Sequence, residues 1–175
     1  VSFDPELSVN SGQTFLWEKV GDSWYGVHGR SIVRFSRTAD GRFEFASFPD
    51  DNNNDGGGRR VEQGLFRLDD DIDSIIKEVA RRDSLVGSLA NQYAGLRLMR
   101  QDPEQCLFSF ICASNTNIPM IRRMLGALAR KYGDAVEIKG GRTFHTFPSA
   151  AAIYKAGLPG LRSCGLGRRR RDWRA

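Results

Sequence analysis

Arg97-Leu98-Met99-Arg100-Gln101-Asp102-Pro103-Glu104-Gln105-Cys106-Leu107-Phe108-Ser109-Phe110-Ile111-Cys112-Ala113-Ser114-Asn115-Thr116-Asn117-Ile118-Pro119 is the stretch on which the reading of this chain turns. Asp102 is an acceptor suited to cap a helix. Pro103 suits the first turn, where its missing N–H costs no hydrogen bond. Gln105, three residues past the cap, is placed to reach back to the cap's own N–H. Leu107, Phe108, Phe110 and Ile111 leave this helix apolar on most sides, which predicts a buried helix. Ser114-Asn115-Thr116-Asn117 then sets four small hydrogen-bonding residues at the mouth of a second helix. A buried rod with a polar end presents amide side chains at a surface, and that end is a candidate site.

Outward from this stretch, 175 residues and 19.6 kDa allow one domain or two small ones. Hydrophobic residues at 40% and charged residues at 27% are ordinary for a globular protein. No apolar run reaches the length of a membrane span, and Val1-Ser2-Phe3-Asp4 is no signal peptide. A chain opening on Val1 is expected to begin inside a longer reading frame. The net charge of +5 and pI near 9.4 suit a polyanionic partner. Its distribution is uneven: residues 165–175 hold five arginines against one aspartate, whereas aspartates dominate 49–73. A basic end beside glycines fits phosphate binding, and equally fits a solvated tail. Three cysteines, Cys106, Cys112 and Cys164, cannot all pair, which points to reduced thiols in an intracellular protein. His28 and His145 are isolated and no Cys-x-x-Cys spacing exists, so no metal site is expected.

Residues 13–48 read as an antiparallel meander. Thr14–Val20, Ser23–Val27, Ser31–Arg37 and Arg42–Phe48 are β-rich, separated by Gly21-Asp22, Gly29-Arg30 and Asp40-Gly41. In the last, Phe43 and Phe45 alternate with Arg42 and Glu44, as in a sheet covered on one face only. Pro49–Arg60 is too polar to pack and reads as a surface loop; it lacks the glycine position and distal glutamate of a calcium loop. Val61–Leu68 is expected to be a further strand. Asp69-Asp70-Asp71 opens a helix at its positive end, and Ile72, Ile75, Ile76, Val79 and Ala80 form a core-facing stripe. Leu85, Val86, Leu89 and Tyr93 repeat that pattern, and Gly95 marks a domain boundary, giving domains 1–95 and 96–175. Asn117 caps a helix from Ile118 to about Tyr132, with Ile121, Met124, Leu125, Leu128 and Tyr132 buried. Two short helical pieces follow, one from Phe147-Pro148-Ser149 to about Tyr154 and one over Leu158–Cys164.

Arg100-Gln101-Asp102-Pro103-x-x-Cys106-Leu107-Phe108-Ser109-Phe110-Ile111-Cys112, followed by Ser114-Asn115-x-Asn117-Ile118, resembles the middle of 8-oxoguanine DNA glycosylases. Ser11-Gly12-Gln13-Thr14-Phe15 and Leu161-Arg162-x-x-Gly165-Leu166-Gly167 fit the same family in the same order. The resemblance implies an α+β fold. A twisted antiparallel sheet with helices, like the TATA-binding protein, would precede an incomplete all-α helix-hairpin-helix glycosylase domain. It also implies base-excision repair of 8-oxoguanine opposite cytosine by a DNA N-glycosylase and AP lyase. The partner would be damaged duplex DNA, without cofactor or metal, in the cytoplasm and nucleoid or in the nucleus.

Such an enzyme must extrude its target base, because the stacked base is out of reach. In the family the glycine of Ser-Gly-Gln accepts, through its carbonyl, the N7–H that 8-oxoguanine has and guanine lacks; Gly12 matches it. From the residues alone, Gly12 reads rather as a turn glycine before a strand. The first asparagine after the apolar helix fills the space of the flipped base, and Asn115 matches it. The alternative makes Asn115 and Asn117 helix caps, which suits Asn117 better. Arg169 matches the arginine that contacts the orphaned cytosine. Arg168 stands where the family carries an aromatic wedge, Thr116 where it has its next asparagine, and Met120 where eukaryotic-like members have an arginine.

The family's nucleophilic lysine and later aspartate have no counterpart before Ala175. None of Lys19, Lys77, Lys131, Lys139 and Lys155 reads as a desolvated nucleophile. The expectation is an amino-terminal fragment or the product of an interrupted gene, with a damaged-DNA-binding remnant as the alternative function. A complete chain would be monomeric; a fragment with uncovered core faces is expected to self-associate.

Overall fold

The computed structural model describes residues 3–49, 57–114, 116–138 and 140–167, with the backbone alone at 57–60. Four strands, β1 (Trp17–Val20), β2 (Ser23–His28), β3 (Ser31–Arg37) and β4 (Phe43–Phe48), form an antiparallel sheet in sequential order. The third hairpin closes as its sequence predicts, with the Thr38 N–H donating to the Arg42 carbonyl at 2.8 Å. The register sets Trp17, Gly26, Val33 and Ser47 in one row and Trp24, Phe35 and Phe45 in the next. Period-two alternation thus gathers the large rings on one face.

Helix α1 (Pro5–Asn10), capped by Asp4, brings Val9 to that face, where Trp17, Val33, Phe35, Leu65 and Phe66 complete an aromatic core. Phe35 and Phe66 are both 0% exposed, with ring centroids 6.3 Å apart edge to face. Burial of a ring of this size contributes about 1.5–3 kcal/mol.

Two sequence expectations change here. Val61–Leu68 is not a strand: α2 spans Gly57–Leu65. Val61 and Leu65 are four apart, so a helix turns both toward the sheet core they pack against, where a strand would also have turned Gln63 inward. The helix ends in a Schellman-like turn, with Leu68 N–H bonding to the Gln63 carbonyl at 3.0 Å and Arg67 at φ 50. The opposite face of the sheet is also not simply wet. Arg34, Ser36 and Glu44 interact there at one end. At the other, Ile32 is fully buried, Val27 packs on the helical core, and Tyr25 stacks on Phe144 at 4.8 Å.

Helices α3 (Ile72–Arg82) and α4 (Ser84–Gln92) form where the acidic start and the 3.6-residue period place them, capped by Asp71 and Asp83. Their stripe, however, is not core-facing. The two helices pack on each other through Ala80 and Gly87, neither buries a residue fully, and Ile75, Val79, Leu85 and Leu89 are exposed.

The second core belongs to α6 (Ile118–Tyr132). Ile121, Met124, Leu125 and Leu128 are buried as the periodicity predicts, and they pack with Cys112, Phe147, Ile153 and Cys164. Helix α7 (Ala150–Ser163) is capped by Ser149 and kinks at Gly157, which divides it into the two pieces expected. A hairpin of β5 (Ala135–Ile138) and β6 (Arg142–His145) was not anticipated. Among the described residues, no helix is long and apolar enough to cross a membrane.

Helix α5 (Pro103–Ala113) carries the largest correction. It buries Gln105, Ser109 and Cys112, while Leu107, Phe110 and Ile111 face outward, Phe110 at 75% exposure. Asp102 caps it by accepting the Gln105 N–H at 2.8 Å. The Gln105 side chain does not return to the cap.

Candidate functional site

Two linked features bear on function: the Ser11–Gln13 turn and the start of α5. Gly12 sits just past α1 at φ +87, a left-handed conformation that L side chains rarely adopt. It is exposed, and a Cβ built there would meet nothing within 4 Å. Among the described residues, nothing donates a hydrogen bond to the Gly12 carbonyl oxygen. An open backbone acceptor can take a donor from a ligand.

Its neighbours are fastened on both sides. Ser11 Oγ donates to the Ser8 carbonyl at 2.7 Å. Gln13 Nε2 donates to Ser11 Oγ and to the Arg97 carbonyl, both at 2.9 Å, while Gln13 Oε1 accepts the Met99 N–H at 2.8 Å. Gln101 Nε2 then donates to the Gln13 carbonyl at 2.7 Å. Beneath, the Arg97 N–H donates to Ser8 Oγ at 3.0 Å. The Arg97 side chain is 2% exposed, with its Nε and Nη2 unpaired among the described residues. A cleft of about 380 Å³, lined by Leu7, Asn10, Ser11, Tyr93 and Leu96, opens beside this turn.

At the start of α5, Gln105 spans to the β2–β3 turn. Its Oε1 accepts the Gly29 N–H at 2.8 Å and its Nε2 donates to the Val27 carbonyl at 2.9 Å. Gly29 has φ +56, which favours glycine, and a Cβ there would stand 2.8 Å from Asp102 Oδ2. The Phe147 N–H donates to the Gly29 carbonyl at 2.9 Å, and Arg30 pairs with Asp134. One hairpin turn therefore joins the sheet to α5 and to the segment before α7. Beside it, burial pulls the His28 pKa below its usual 6.5, opposed by the Asp102 carboxylate.

Of the sequence candidates, the structure describes Gly12; Asn115, Arg168 and Arg169 lie outside the described residues. Asn117 is a cap, accepting the Met120 N–H at 3.0 Å. Ala113 and Leu166, near the ends of the flanking described segments, both pack on the α6 core. Sequence reasoning missed the joint role of Gln13, Gln101 and Arg97; the available signal was a glutamine directly after the turn glycine and a second in the stretch 97–101. Lys19, Lys77, Lys131 and Lys155 are exposed. The cysteines are free, Cys106 exposed rather than buried, and burial raises the Cys112 thiol to about 11.

Residues 1–107 match the sequence profile of the N-terminal domain of 8-oxoguanine DNA glycosylase. The chain belongs to that family. It is 29% identical to the N-glycosylase/DNA lyase OGG1 of Arabidopsis thaliana over 171 residues, 93% of this chain and 44% of that protein. The apo 8-oxoguanine glycosylase/lyase of Clostridium acetobutylicum superposes with a TM-score of 0.81 at 26% identity, over 94% of this chain and 55% of that one. The same enzyme bound to double-stranded DNA with cytosine opposite 8-oxoguanine gives 0.79 at 26% identity, over 93% and 53%. The α+β sheet fold and the helices after it agree with these 8-oxoguanine glycosylase structures. The chain spans about half the length of these relatives.

Proposed function

We propose that this chain is the lesion-reading part of a DNA N-glycosylase/AP lyase that removes 8-oxoguanine opposite cytosine in base-excision repair. Its partner is damaged duplex DNA, in the nucleoid or nucleus, with no cofactor or metal. The observation that carries the reading is the carbonyl of exposed Gly12, to which none of the described residues donates, in a turn whose flanks are fastened. Such a carbonyl accepts the N7–H of 8-oxoguanine and finds only a lone pair on guanine, so a single donor separates lesion from normal base. In this reading Asn115 fills the space of the extruded base and Arg169 holds the orphaned cytosine. Arg168 lies flat against a base face in place of the aromatic wedge. The division at residue 95 then separates a sheet part that reads the base from helices that fill the gap.

A second reading, a damaged-DNA-binding chain without catalysis, is favoured by the lysines. Lys19, Lys77, Lys131 and Lys155 are all exposed, and a nucleophilic lysine needs desolvation or a neighbouring cation to be neutral. Borohydride trapping on duplex DNA carrying 8-oxoguanine opposite cytosine separates the two. A covalent band lost on replacing one lysine assigns the nucleophile within residues 1–175. No band beside a lesion-selective gel shift supports recognition without cleavage. Equal binding of lesion and undamaged duplex overturns both readings.

A further inference from the structure

The carbonyl that reads a single proton must be held still, and Gly12 is the residue least able to hold itself. Glycine has the widest backbone freedom of any residue, and at φ +87 even an added Cβ would meet no described atom within 4 Å here. What restrains it lies one residue on. The Gln13 amide meets one N–H and two oxygens: Oε1 faces the Met99 N–H, and Nε2 faces the Arg97 carbonyl and Ser11 Oγ. Only one orientation of that amide satisfies all three. Gln101 closes the arrangement by donating to the Gln13 carbonyl at 2.7 Å, so the residue after Gly12 is tied through both side chain and backbone. The strip that receives these bonds is itself anchored. Arg97 is buried with its N–H on Ser8, and the Arg100 N–H donates to the Leu65 carbonyl at 2.7 Å.

We infer that Gln13 and Gln101 are positioning residues for lesion discrimination: they clamp the Ser11–Gln13 turn to residues 97–101 and fix the direction of the Gly12 carbonyl. This rests on the reading of Gly12 proposed above. Preorganised acceptors discriminate because they do not reorient to suit the wrong ligand. A loose Gly12 peptide would turn from guanine's lone pair and bind both bases comparably. The same strip runs on into Asp102 and the Gln105 contact with the β2–β3 turn, so the clamp ties lesion reading to the start of α5.

The test is the ratio of affinities of the full chain for duplexes with 8-oxoguanine opposite cytosine and guanine opposite cytosine, by fluorescence anisotropy at one salt concentration. Expected for the unaltered chain is a preference of roughly tenfold, the size one hydrogen bond supports. Gln13→Glu keeps the shape but sets an oxygen against the Arg97 carbonyl; the ratio should fall below about twofold. Gln101→Met removes one donor and should reduce the ratio by an intermediate amount, keeping the question answerable should Gln13→Glu fail to fold. A variant that only destabilises the fold lowers both affinities together and leaves the ratio standing. A tenfold ratio retained in the folded variants overturns the clamp. No preference in the unaltered chain sinks the Gly12 reading and the clamp with it.

Discussion

The sheet and helix α5 bury different kinds of residue. Around β3 the side chains turned inward are rings and aliphatics: Phe35, Val33 and Trp17 against Phe66 and Leu65. On α5 the buried residues are Gln105, Ser109 and Cys112; of its large apolar residues Phe108 packs half-buried on the helical core, while Leu107, Phe110 and Ile111 face out. The sheet core is therefore closed by its own chain, whereas α5 meets the β2–β3 turn through the Gln105 amide and the helical core through Phe108 and Cys112. The difference teaches that apolar content alone does not say which face of a helix a fold covers. An apolar face is covered only where partners are at hand, and a buried glutamine is tolerated where backbone groups satisfy it.

The strongest way to break this contrast is Phe35→Ala. Phe35 is fully buried and meets Trp17, Trp24, Phe43, Phe45 and Phe66, so the cavity should cost about 3–5 kcal/mol in urea unfolding. A loss below 1.4 kcal/mol, tenfold in the equilibrium constant, would mean that the sheet core collapses to fill the gap.

Gln105→Leu comes next. It adds an apolar residue to a buried position yet should destabilise, because the Gly29 N–H and Val27 carbonyl lose their partner. Two unsatisfied backbone groups cost about 2–4 kcal/mol. If the variant proves more stable than the parent, the amide contact is incidental and the contrast between the regions fails.

How much of this was legible beforehand follows the same division. The four strands and the α6 stripe were readable because each period had a partner to meet: Phe43 and Phe45 alternate onto the core, and Ile121, Leu125 and Leu128 recur at helical spacing. Val61–Leu68 misled because its apolar residues suit either period over so short a run. The outward face of α5 was not legible, since Leu107 and Phe110 look like core wherever they occur, and nothing in their spacing says that Gln105 takes the inner side. Four-residue β5 and β6 carry too little pattern to stand out. At the site, Gly12 came into view through family resemblance, but its φ and the Gln13 clamp depend on residues 84 to 88 positions away.

A smaller effect separates the polar joint from both cores. His28 sits beside Asp102 at the foot of α5, and burial lowers its pKa below 6.5 in the folded chain. The unfolded chain then binds the proton more readily, so stability present above pH 6.5 is lost as pH falls through that value toward the folded pKa. Thermal melts between pH 7.5 and 5.5 should show this fall, and His28→Gln should flatten the histidine's share of it. An unchanged slope in the variant would locate the acid sensitivity in carboxylates elsewhere.

The smallest stability effect should come from the exposed ring on α5. Phe110 is 75% exposed, so Phe110→Ser removes few contacts and should shift unfolding by less than about 0.5 kcal/mol, despite erasing a phenylalanine from an apolar helix. The association state should respond instead. Leu107, Phe110 and Ile111 form a contiguous apolar face on α5, and such faces drive self-association. Sedimentation velocity over a concentration series should show oligomers for the parent chain and fewer for Phe110→Ser. A monodisperse parent would mean that the α5 face is covered in solution. Phe110→Ser would then have to cost as much as a core substitution, and the contrast between the two regions would disappear.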